Sequence, residues 1–545
     1  MNKYFKFIII FCPVLSFAQA GLKPSLDKAK SFVKEIKLEK STVSQSLSYD
    51  NASPYDLKIA INTTDSKGKS TEEVFEFNLG LIGDVKRSAS TKEMKVELSG
   101  QKGLKVIKVT KGGETQGYEK EVVILAENVD DARELEKNLK DAIAAAKPAW
   151  ESTIKLPKDD LNALQAWLSQ NIKDVASDKQ SIKQSLKKSA VYKDKAVLSI
   201  EENDGKKTSE SQSDFSWGDL TENSPELKIN GKEISIGVKS KNDFIQTYQG
   251  STFKGFEDKL KFYAESPTQG SVLLMAIQKI IPLAAKELKD RLPKVATKED
   301  GFKILKDKLK DFKVNESAYG IQIEPSCLTT YTVKSESKGK AVEEVYKFSF
   351  GDLNDFKLSV SKDLVKISSK VKDGKKYIQY VKDGQPQNYD NSIEFLLNDV
   401  ESGRYLAEAL PAIEKGCKTA DPAAGDFKWL AAQVSVAENP KQTIELKDGD
   451  KCKIKLTSNQ SDSKKSVETI QELNLYDLDP KKTEIDVSGK NVGISALTLN
   501  KEKFINQTKD GKSTFVSETG FVVNNIETAK KALITFKSLI EGCKK

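Results

Sequence analysis

The chain has 545 residues with 88 basic and 80 acidic side chains, a formal net charge of +8, and no histidine. The absence of histidine excludes Ser-His-Asp and Cys-His catalysis and the HExxH zinc site. The length predicts three or four domains, each large enough to have its own core.

Residues 1–20 have the features of a secretory signal. Two lysines precede an apolar run at 7–17, and Ala18-Gln19-Ala20 is a small-residue cleavage site. We expect cleavage after Ala20 and a periplasmic or secreted location. No later stretch approaches the roughly 18 apolar residues that cross a bilayer. We therefore expect no transmembrane segment in the mature protein.

Removing the two signal lysines leaves 86 basic against 80 acidic residues, so the mature net charge is +6. Lysines alternating with acids are typical of a solvated surface, and a diffuse attraction to anionic lipid, glycan or nucleic acid is the alternative. Arginine is scarce, occurring only at Arg87, Arg133, Arg291 and Arg404. Because arginine reads phosphates and bases in a bidentate manner, its scarcity predicts no nucleic-acid partner.

The mature sequence aligns with itself as four tandem repeats, and two landmarks anchor each of them. The first is an apolar strand end, which reads FNLGLI, FSWGDL, FSFGDL and LNLYDL at 77–82, 215–220, 348–353 and 473–478. The second is an apolar pair followed by a glycine turn, such as Tyr377-Ile378 with Asp383-Gly384, which predicts a hairpin. We place the repeats at 21–147, 161–286, 301–418 and 426–545.

Each repeat is predicted to be α+β, with an opening helix, a curled antiparallel sheet of five to seven strands and a closing amphipathic helix. Apolar residues spaced by threes and fours mark the opening helices, as in 161–172. The closing helices are expected to begin at polar caps with an acid three residues on, namely Asn128, Asn398 and Asn524. The second repeat has Ser266-Pro267 there, and its apolar run predicts the most buried closing helix. Linkers are predicted at 147–157, 293–300 and 421–425.

Cysteines follow the same register, since Cys327 and Cys417 recur as Cys452 and Cys543. This favours the disulfides Cys327–Cys417 and Cys452–Cys543 over the other two connectivities that four cysteines allow. The first two repeats have Asp56 and Asp194 near the early cysteine position. Metal binding by the four thiols is the alternative, but no CxxC spacing supports it.

Arg133 and Arg404 occupy the same position of their closing helices, and Lys530 matches them. A cation in this slot would clamp an anionic ligand or a partner carboxylate. In the structural alternative it covers the helix and pairs with an acid one turn away, such as Glu136 or Glu408. Of these two roles, we favour the structural one for the three residues.

Other motifs are weaker. SKGK at 66–69 and 337–340 would cradle phosphate or form an ordinary turn. SxxK at 185–188 and 359–362 is expected by chance among so many lysines, and carboxylate pairs for glycoside chemistry cannot be read from spacing. Tryptophans fall on apolar faces, which favours core positions over sugar platforms. We predict no catalytic, cofactor-binding or metal-binding residues.

The strand pattern and closing helices such as NVDDARELEKNLKDAI at 128–143 resemble the pleckstrin-homology-like fold, a curled sheet capped by one helix. The whole chain also resembles exported, lysine-rich tandem-repeat proteins of Gram-negative envelopes. The first resemblance implies the fold of each repeat. It does not imply lipid head-group binding, because the basic early loop of the lipid-binding members is matched only loosely by SKGK and lacks the arginine.

Three hypotheses for function follow. The leading one is a non-enzymatic envelope scaffold for protein partners, because structural positions repeat without any reactive constellation. The second is an array that binds anionic lipid or glycan through the slot of Arg133, Arg404 and Lys530 or through the SKGK turns. The third is a histidine-free hydrolase that uses carboxylates.

Overall fold

The structure is a computed structural model that describes residues 15–176, 180–361, 363–418, 422–436, 440–461 and 466–544. The chain divides into a first unit that ends at Arg291 and a second unit that begins at Leu292. The described residues form eight α-helices and several antiparallel sheets in a recurring arrangement. The predicted α+β class is therefore confirmed. Most of the predicted signal, 1–14, lies outside the described residues.

The sheets come in pairs, each with a larger and a three-stranded smaller sheet, which we call a sheet pair. The strands of the first sheet pair are β1 Ile36–Lys37, β2 Ser41–Tyr49, β3 Asp56–Asp65, β4 Ser70–Asn78, β5 Ile82–Ala89, β6 Met94–Gly100, β7 Ile107–Lys111, β8 Glu114–Glu119 and β9 Glu121–Ala126. The larger sheet has the order β1-β2-β3-β4-β7-β8, and the smaller has the order β5-β6-β9.

The second sheet pair completes the first unit. Its strands are β10 Val175–Ala176, β11 Ser181–Lys188, β12 Lys195–Asn203, β13 Thr208–Ser216, β14 Glu226–Asn230, β15 Glu233–Lys239, β16 Ile245–Gln249, β17 Thr252–Glu257 and β18 Lys259–Ala264. They repeat the same order, β10-β11-β12-β13-β16-β17 and β14-β15-β18. Buried side chains of both pairs belong to one hydrophobic cluster that includes Leu47, Ile59, Trp217 and Ile277.

The second unit contains the third and fourth sheet pairs. The strands of the third are β19 Phe312–Val314, β20 Ser317–Ile323, β21 Leu328–Ser337, β22 Lys340–Ser349, β23 Leu353–Ser361, β24 Leu364–Val371, β25 Gln379–Lys382, β26 Gln385–Pro386 and β27 Ser392–Leu397. Those of the fourth are β28 Lys441–Leu446, β29 Lys453–Ser461, β30 Ser466–Asn474, β31 Leu478–Ser488, β32 Asn491–Thr498, β33 Ile505–Lys509, β34 Lys512–Val516 and β35 Glu518–Val523. The larger sheet of the fourth pair has five described strands, in the order β28-β29-β30-β33-β34.

The strand order differs from a simple meander. In the first sheet pair, β4 pairs with β7 rather than with β5, because the chain leaves the larger sheet to form the hairpin β5-β6 and then returns. The strand-end landmark of the sequence is the crossing point, where one 3-10 turn, Leu79–Leu81, separates β4 from β5. The Asn78 side chain accepts a hydrogen bond from the Gly80 amide there. A β-carbon on Gly80 would lie 2.8 Å from the Trp150 ring, so the packed helix requires glycine.

The glycine turns form hairpins as predicted. Asp383 and Gly384 both have positive φ, 49° and 74°, between β25 and β26, as a type I′ turn requires. Asp510 and Gly511 repeat this geometry with φ of 45° and 77°. The local sequence therefore sets these turns.

The helices are α1 Leu15–Ser31, α2 Val129–Thr153, α3 Leu161–Asn171, α4 Pro267–Arg291, α5 Lys298–Lys308, α6 Val400–Gly416, α7 Phe427–Val434 and α8 Ile526–Cys543. Each opening helix packs against the closing helix of its sheet pair, as α1 does against α2, and the closing helices pack on the smaller sheets. The α4 helix buries the largest number of side chains among the closing helices, in agreement with its apolar sequence.

Two predicted helix caps are displaced by one residue. The Asn128 cap is confirmed, because its side chain accepts from the Asp130 and Asp131 amides. In α6 the cap is Asp399 rather than Asn398, and in α8 it is Asn525 rather than Asn524. Those residues directly precede the first helical residue and have extended backbone, which lets the side chain reach the free amides of the first turn.

The first predicted linker is wrong in part. Helix α2 continues through Pro148 to Thr153, and residues 154–160 then lead to α3. Ala149 and Trp150 are buried in the core beyond the proline. Their burial stabilises a helical turn that the Lys-Pro sequence alone does not favour.

Candidate functional site

The slot residues Arg133, Arg404 and Lys530 each lie five positions after the helix cap, on α2, α6 and α8. The equivalent position of α4 holds Ser271, which is buried and donates to the Pro267 carbonyl. Among the described ion pairs, no two of the three cations share an acid. Each cation therefore has its own described partners.

Arg133 lies at the surface, with 56% of its side chain exposed. Its Nη1 lies 2.7 Å from Asp130 Oδ1, one turn toward the helix start. The partner suggested from the sequence, Glu136, instead pairs with Arg87 at 3.3 Å and Lys140 at 2.8 Å. An exposed pair of this kind contributes little to stability, since water screens it.

Arg404 is buried, with only 10% of its side chain exposed, and its Nε lies 3.4 Å from Glu401 Oε1. Glu401 is equally enclosed, with 12% of its side chain exposed. The acid is again one turn before the cation rather than Glu408, one turn after it. This position therefore serves the packing of α6 on its sheets.

Lys530 joins the third and fourth sheet pairs. Its Nζ donates to Asp352 Oδ2 at 2.7 Å and to Glu527 Oε1 at 2.8 Å. Asp352 belongs to the 3-10 turn Phe350–Asp352, the crossing point of the third sheet pair. Burial lowers the pKa of Lys530, but the hydrogen bonds to the two acids outweigh this effect and raise the pKa above its ordinary value. The Tyr377 ring lies 5.8 Å away, and burial raises the pKa of Tyr377 to about 12.

Both SKGK sequences lie in tight turns. In the first, the Lys67 and Lys69 amides donate to Asp65 Oδ1 at 2.8 and 2.9 Å, and Gly68 has positive φ. The Asp65 carboxylate therefore already occupies the position that a phosphate would take. In the second, Lys338 and Gly339 form a two-residue hairpin turn. The local contacts favour ordinary turns.

The remaining motifs gain no support as sites. Ser185 and Lys188 lie three positions apart on strand β11, where they face opposite sides, and Lys362 is outside the described residues. Trp217 is fully buried, which agrees with its expected core position. Within the described ranges, no group of three or more metal-ligating side chains is placed to hold a metal ion. No helix of the described chain has both the length and the apolar character to cross a membrane.

The two predicted disulfides are present in the structure. Cys327 is bonded to Cys417 with a Cα–Cα distance of 5.3 Å, and Cys452 to Cys543 with 5.7 Å. Each bond links the start of an early strand to the end of the closing helix. Loops of 90 and 91 residues are closed in this way, which in the chain-entropy model stabilises each fold by about 4 to 5 kcal/mol.

A buried ion pair makes the same link in the second sheet pair. Asp194 has the same backbone position as the early cysteines. Its carbonyl accepts a hydrogen bond from the Trp217 amide, and the Cys327 carbonyl accepts the equivalent bond from the Phe350 amide. Arg291 Nε and Nη2 donate to the fully buried Asp194 carboxylate at 2.7 and 3.2 Å. The sequence analysis identified Asp194 as equivalent to the early cysteines but did not predict Arg291 as its partner. Arg291 lies two helical turns beyond Ala284, which is the residue equivalent to Cys417.

A glutamine that hydrogen-bonds the larger sheet to the last strand of the smaller sheet was also not predicted from the sequence. The side-chain oxygens of Gln45, Gln184 and Gln442 accept from last-strand amides at 2.8, 3.0 and 2.7 Å. In the third sheet pair the hydroxyl of Tyr331 accepts this bond at 3.0 Å. The shared position of the three glutamines in their strands was a signal that a closer alignment of the repeats would have shown.

The described contacts thus assign the repeated charged positions to bonds within the protein. Comparison of the chain with protein-family models, with curated proteins and with solved structures finds no match in any of the three.

Proposed function

We propose that the chain is an exported, non-enzymatic scaffold that binds protein partners in the cell envelope. In this proposal the repeats 21–147, 161–286, 301–418 and 426–545 are pleckstrin-homology-like modules, each consisting of one sheet pair and its helices. The likeness lies in curled sheets closed by a helix, whereas the crossing between sheets departs from the meander. Periplasmic or secreted location is supported by the two disulfides, since such bonds persist in oxidising compartments.

The observation that carries the proposal is the bridge from Lys530 to Asp352. It joins the closing helix of one sheet pair to the crossing turn of the preceding one. The Tyr389 amide also donates to the Gly489 carbonyl across the same boundary at 3.1 Å. One cation of the repeated slot, Lys530, thus helps to hold two modules together, which suits a protein that presents fixed surfaces to partners.

The alternative, binding of anionic lipid or glycan through the slot, has less support. Arg404 and Lys530 have largely buried side chains that pair with acids of the protein, whereas the side chain of Arg133 is mostly exposed. A cation already paired with an enclosed carboxylate gives little further attraction to an anion. We propose no cofactor, no metal and no nucleic-acid partner for this function.

The proposal is tested by cross-linking and affinity purification of the tagged full chain from its own envelope, with proteins, lipids and glycans identified by mass spectrometry. We expect one protein to recur with the wild type and with R133A, the matched surface control. K530A should reduce its recovery, because the two sheet pairs lose their bridge. Recovery of lipid or glycan without a recurring protein, or turnover of a glycan or peptide panel, would contradict the scaffold proposal.

A separate experiment addresses the anionic alternative. The wild type and R133E are compared for sedimentation with vesicles rich in phosphatidylglycerol and with an acidic polysaccharide. We expect both proteins to behave alike. A strong loss of binding in R133E would favour the slot as an anion site.

A further inference from the structure

The fourth sheet pair differs from the first and third at four equivalent inward positions. The strand registers align these positions. In the fourth pair Gln471 lies between Leu456 and Gln507 on the neighbouring strands. In the first pair Phe75 lies in the same way between Ile59 and Val109. In the first pair the residues are Ile61, Phe75, Val109 and Val122, in the third Val333, Tyr346, Tyr380 and Ile393, and in the fourth Ser458, Gln471, Gln507 and Thr519. The fourth pair thus has amides and aliphatic hydroxyls where the first and third have aliphatic or aromatic side chains.

These polar groups form a connected network. Gln471 Nε2 donates to Gln507 Oε1 at 2.9 Å and to the Glu518 carbonyl at 3.1 Å. The Thr519 hydroxyl donates to Gln471 Oε1 at 2.7 Å. Among the described contacts, the Gln507 amide hydrogens have no protein acceptor, so they are available to a ligand.

The network lines a cleft of about 880 Å³ between the two sheets of this pair. The size lies within the range of roughly 300–1,000 Å³ that small-molecule sites occupy. Phe515 also lines the cleft, and 64% of it is exposed. An aromatic ring open to water beside a polar cleft carries an energetic cost that a stacked ligand would relieve.

The chemistry of the lining selects a ligand class. The charged lining residues are Lys503, Asp486 and Glu518, so their net charge is −1 and does not favour an anion. An acyl chain would leave the amides and hydroxyls without partners. A neutral sugar fits, because its hydroxyls both donate and accept, as these side chains do, while its C–H face stacks on an aromatic ring.

We propose that the cleft of the fourth sheet pair binds a neutral oligosaccharide. Gln471, Gln507, Ser458 and Thr519 contact the sugar hydroxyls, and Phe515 stacks on a ring face. The site does not involve the slot cations and does not depend on the scaffold proposal. An extended peptide is the competing occupant. The sugar is favoured because side-chain amides and hydroxyls line the cleft beside an exposed ring, rather than backbone groups alone.

The test is calorimetric titration of the full chain with maltohexaose, cellohexaose and chitohexaose, with a library of neutral peptides as a parallel arm. We expect at least one oligosaccharide to bind at millimolar concentration or below. Binding of peptides alone, or of none of the probes, would overturn the proposal.

Two variants locate the site. Q471F/Q507V introduces the residues of the first sheet pair and should weaken sugar binding at least about tenfold, which corresponds to the loss of roughly one hydrogen bond or more. Its unfolding midpoint should equal or exceed that of the wild type, because an apolar pair replaces a polar one. In the second sheet pair Ser213 and Thr247 pair with each other and have the positions of Gln471 and Gln507. S213F/T247V makes the same exchange there and should leave binding unchanged.

F515A provides an independent check that does not disturb the core, since this ring is mostly exposed. We expect F515A to weaken binding several-fold with unchanged stability. Unaltered sugar affinity in both F515A and Q471F/Q507V would place the sugar elsewhere and refute the assignment.

Discussion

The buried pair of Asp194 and Arg291 gives the sharpest stability prediction. In R291M the fully buried Asp194 carboxylate loses two hydrogen bonds, of 2.7 and 3.2 Å, and its counter-charge. The guanidinium also leaves the Tyr192 ring, 4.3 Å away. Breaking a buried ion pair by removing one partner costs about 3 to 5 kcal/mol, because the remaining charge stays desolvated. We expect the free energy of unfolding of the first unit to fall by that amount.

The assay is urea unfolding of the full chain, followed by tryptophan fluorescence. Trp150, Trp167 and Trp217 lie in the first unit and only Trp429 in the second, so the signal reports mainly on the unit that carries the change. For an m value of roughly 3 kcal/mol/M, a loss of about 3 to 5 kcal/mol should lower the midpoint by about 1 to 1.7 M.

Two matched variants complete the experiment. R133M removes an exposed arginine whose described partner, Asp130, lies on the same helix, and its effect should stay within about 0.5 kcal/mol. D194N/R291M removes both charges and should be more stable than R291M alone, because no charge is left buried. A loss below about 1 kcal/mol in R291M, or equal losses in R291M and D194N/R291M, would refute the reasoning.

Three further predictions concern other contacts. C452S should destabilise the second unit by about 4 kcal/mol under oxidising conditions and leave the first unit unchanged. Calorimetry of the full chain would show the unfolding of both units, and an equal effect on both would contradict the prediction. The pKa values of Lys530 and Tyr377 are both higher in the folded state than the ordinary values of 10.5 and 10.0. Each group therefore contributes its full stabilisation to the folded protein below its ordinary pKa, and this contribution is lost as the pH rises through its folded-state pKa. The stability difference between wild type and K530M, measured by urea unfolding, should therefore be constant from pH 7 to about 9 and shrink above about pH 10.5; a difference that grows there would contradict the pairing. G218A places a β-carbon 2.8 Å from the Ala284 carbonyl and should lower the unfolding free energy by about 1 to 3 kcal/mol, whereas G68A, with open space around Gly68, should show only the smaller cost of its positive φ.

Local chemistry made part of the fold predictable. The Asp383-Gly384 turn, the Asn128 cap and the apolar stripes of the helices follow from side chains within a few residues of one another. The disulfides were also predictable, because the four cysteines share a register. Their spacing repeats even though each bond spans most of a repeat.

Contacts between distant, unlike residues were not predictable in this way. Arg291 lies beyond the position equivalent to Cys417, and its long side chain reaches back to Asp194. The sequence could not distinguish this arginine from other basic helix ends. Lys530 was identified as a slot residue, but its partner Asp352 is 178 positions away in another repeat. Helix α2 passes through Pro148 because burial of Trp150 outweighs local preference, and such tertiary effects have no local signature.

The crossing between sheets has a consequence for how such a protein can arise and change. Since β5 and β6 come between β4 and β7 in the chain, and β9 returns to β6, no cut inside a sheet pair leaves one complete sheet on each side. A truncated pair therefore exposes unpaired strand edges. Recombination inside a pair therefore yields two incomplete halves. The shortest continuous segment of this chain in which every sheet is complete is therefore one sheet pair.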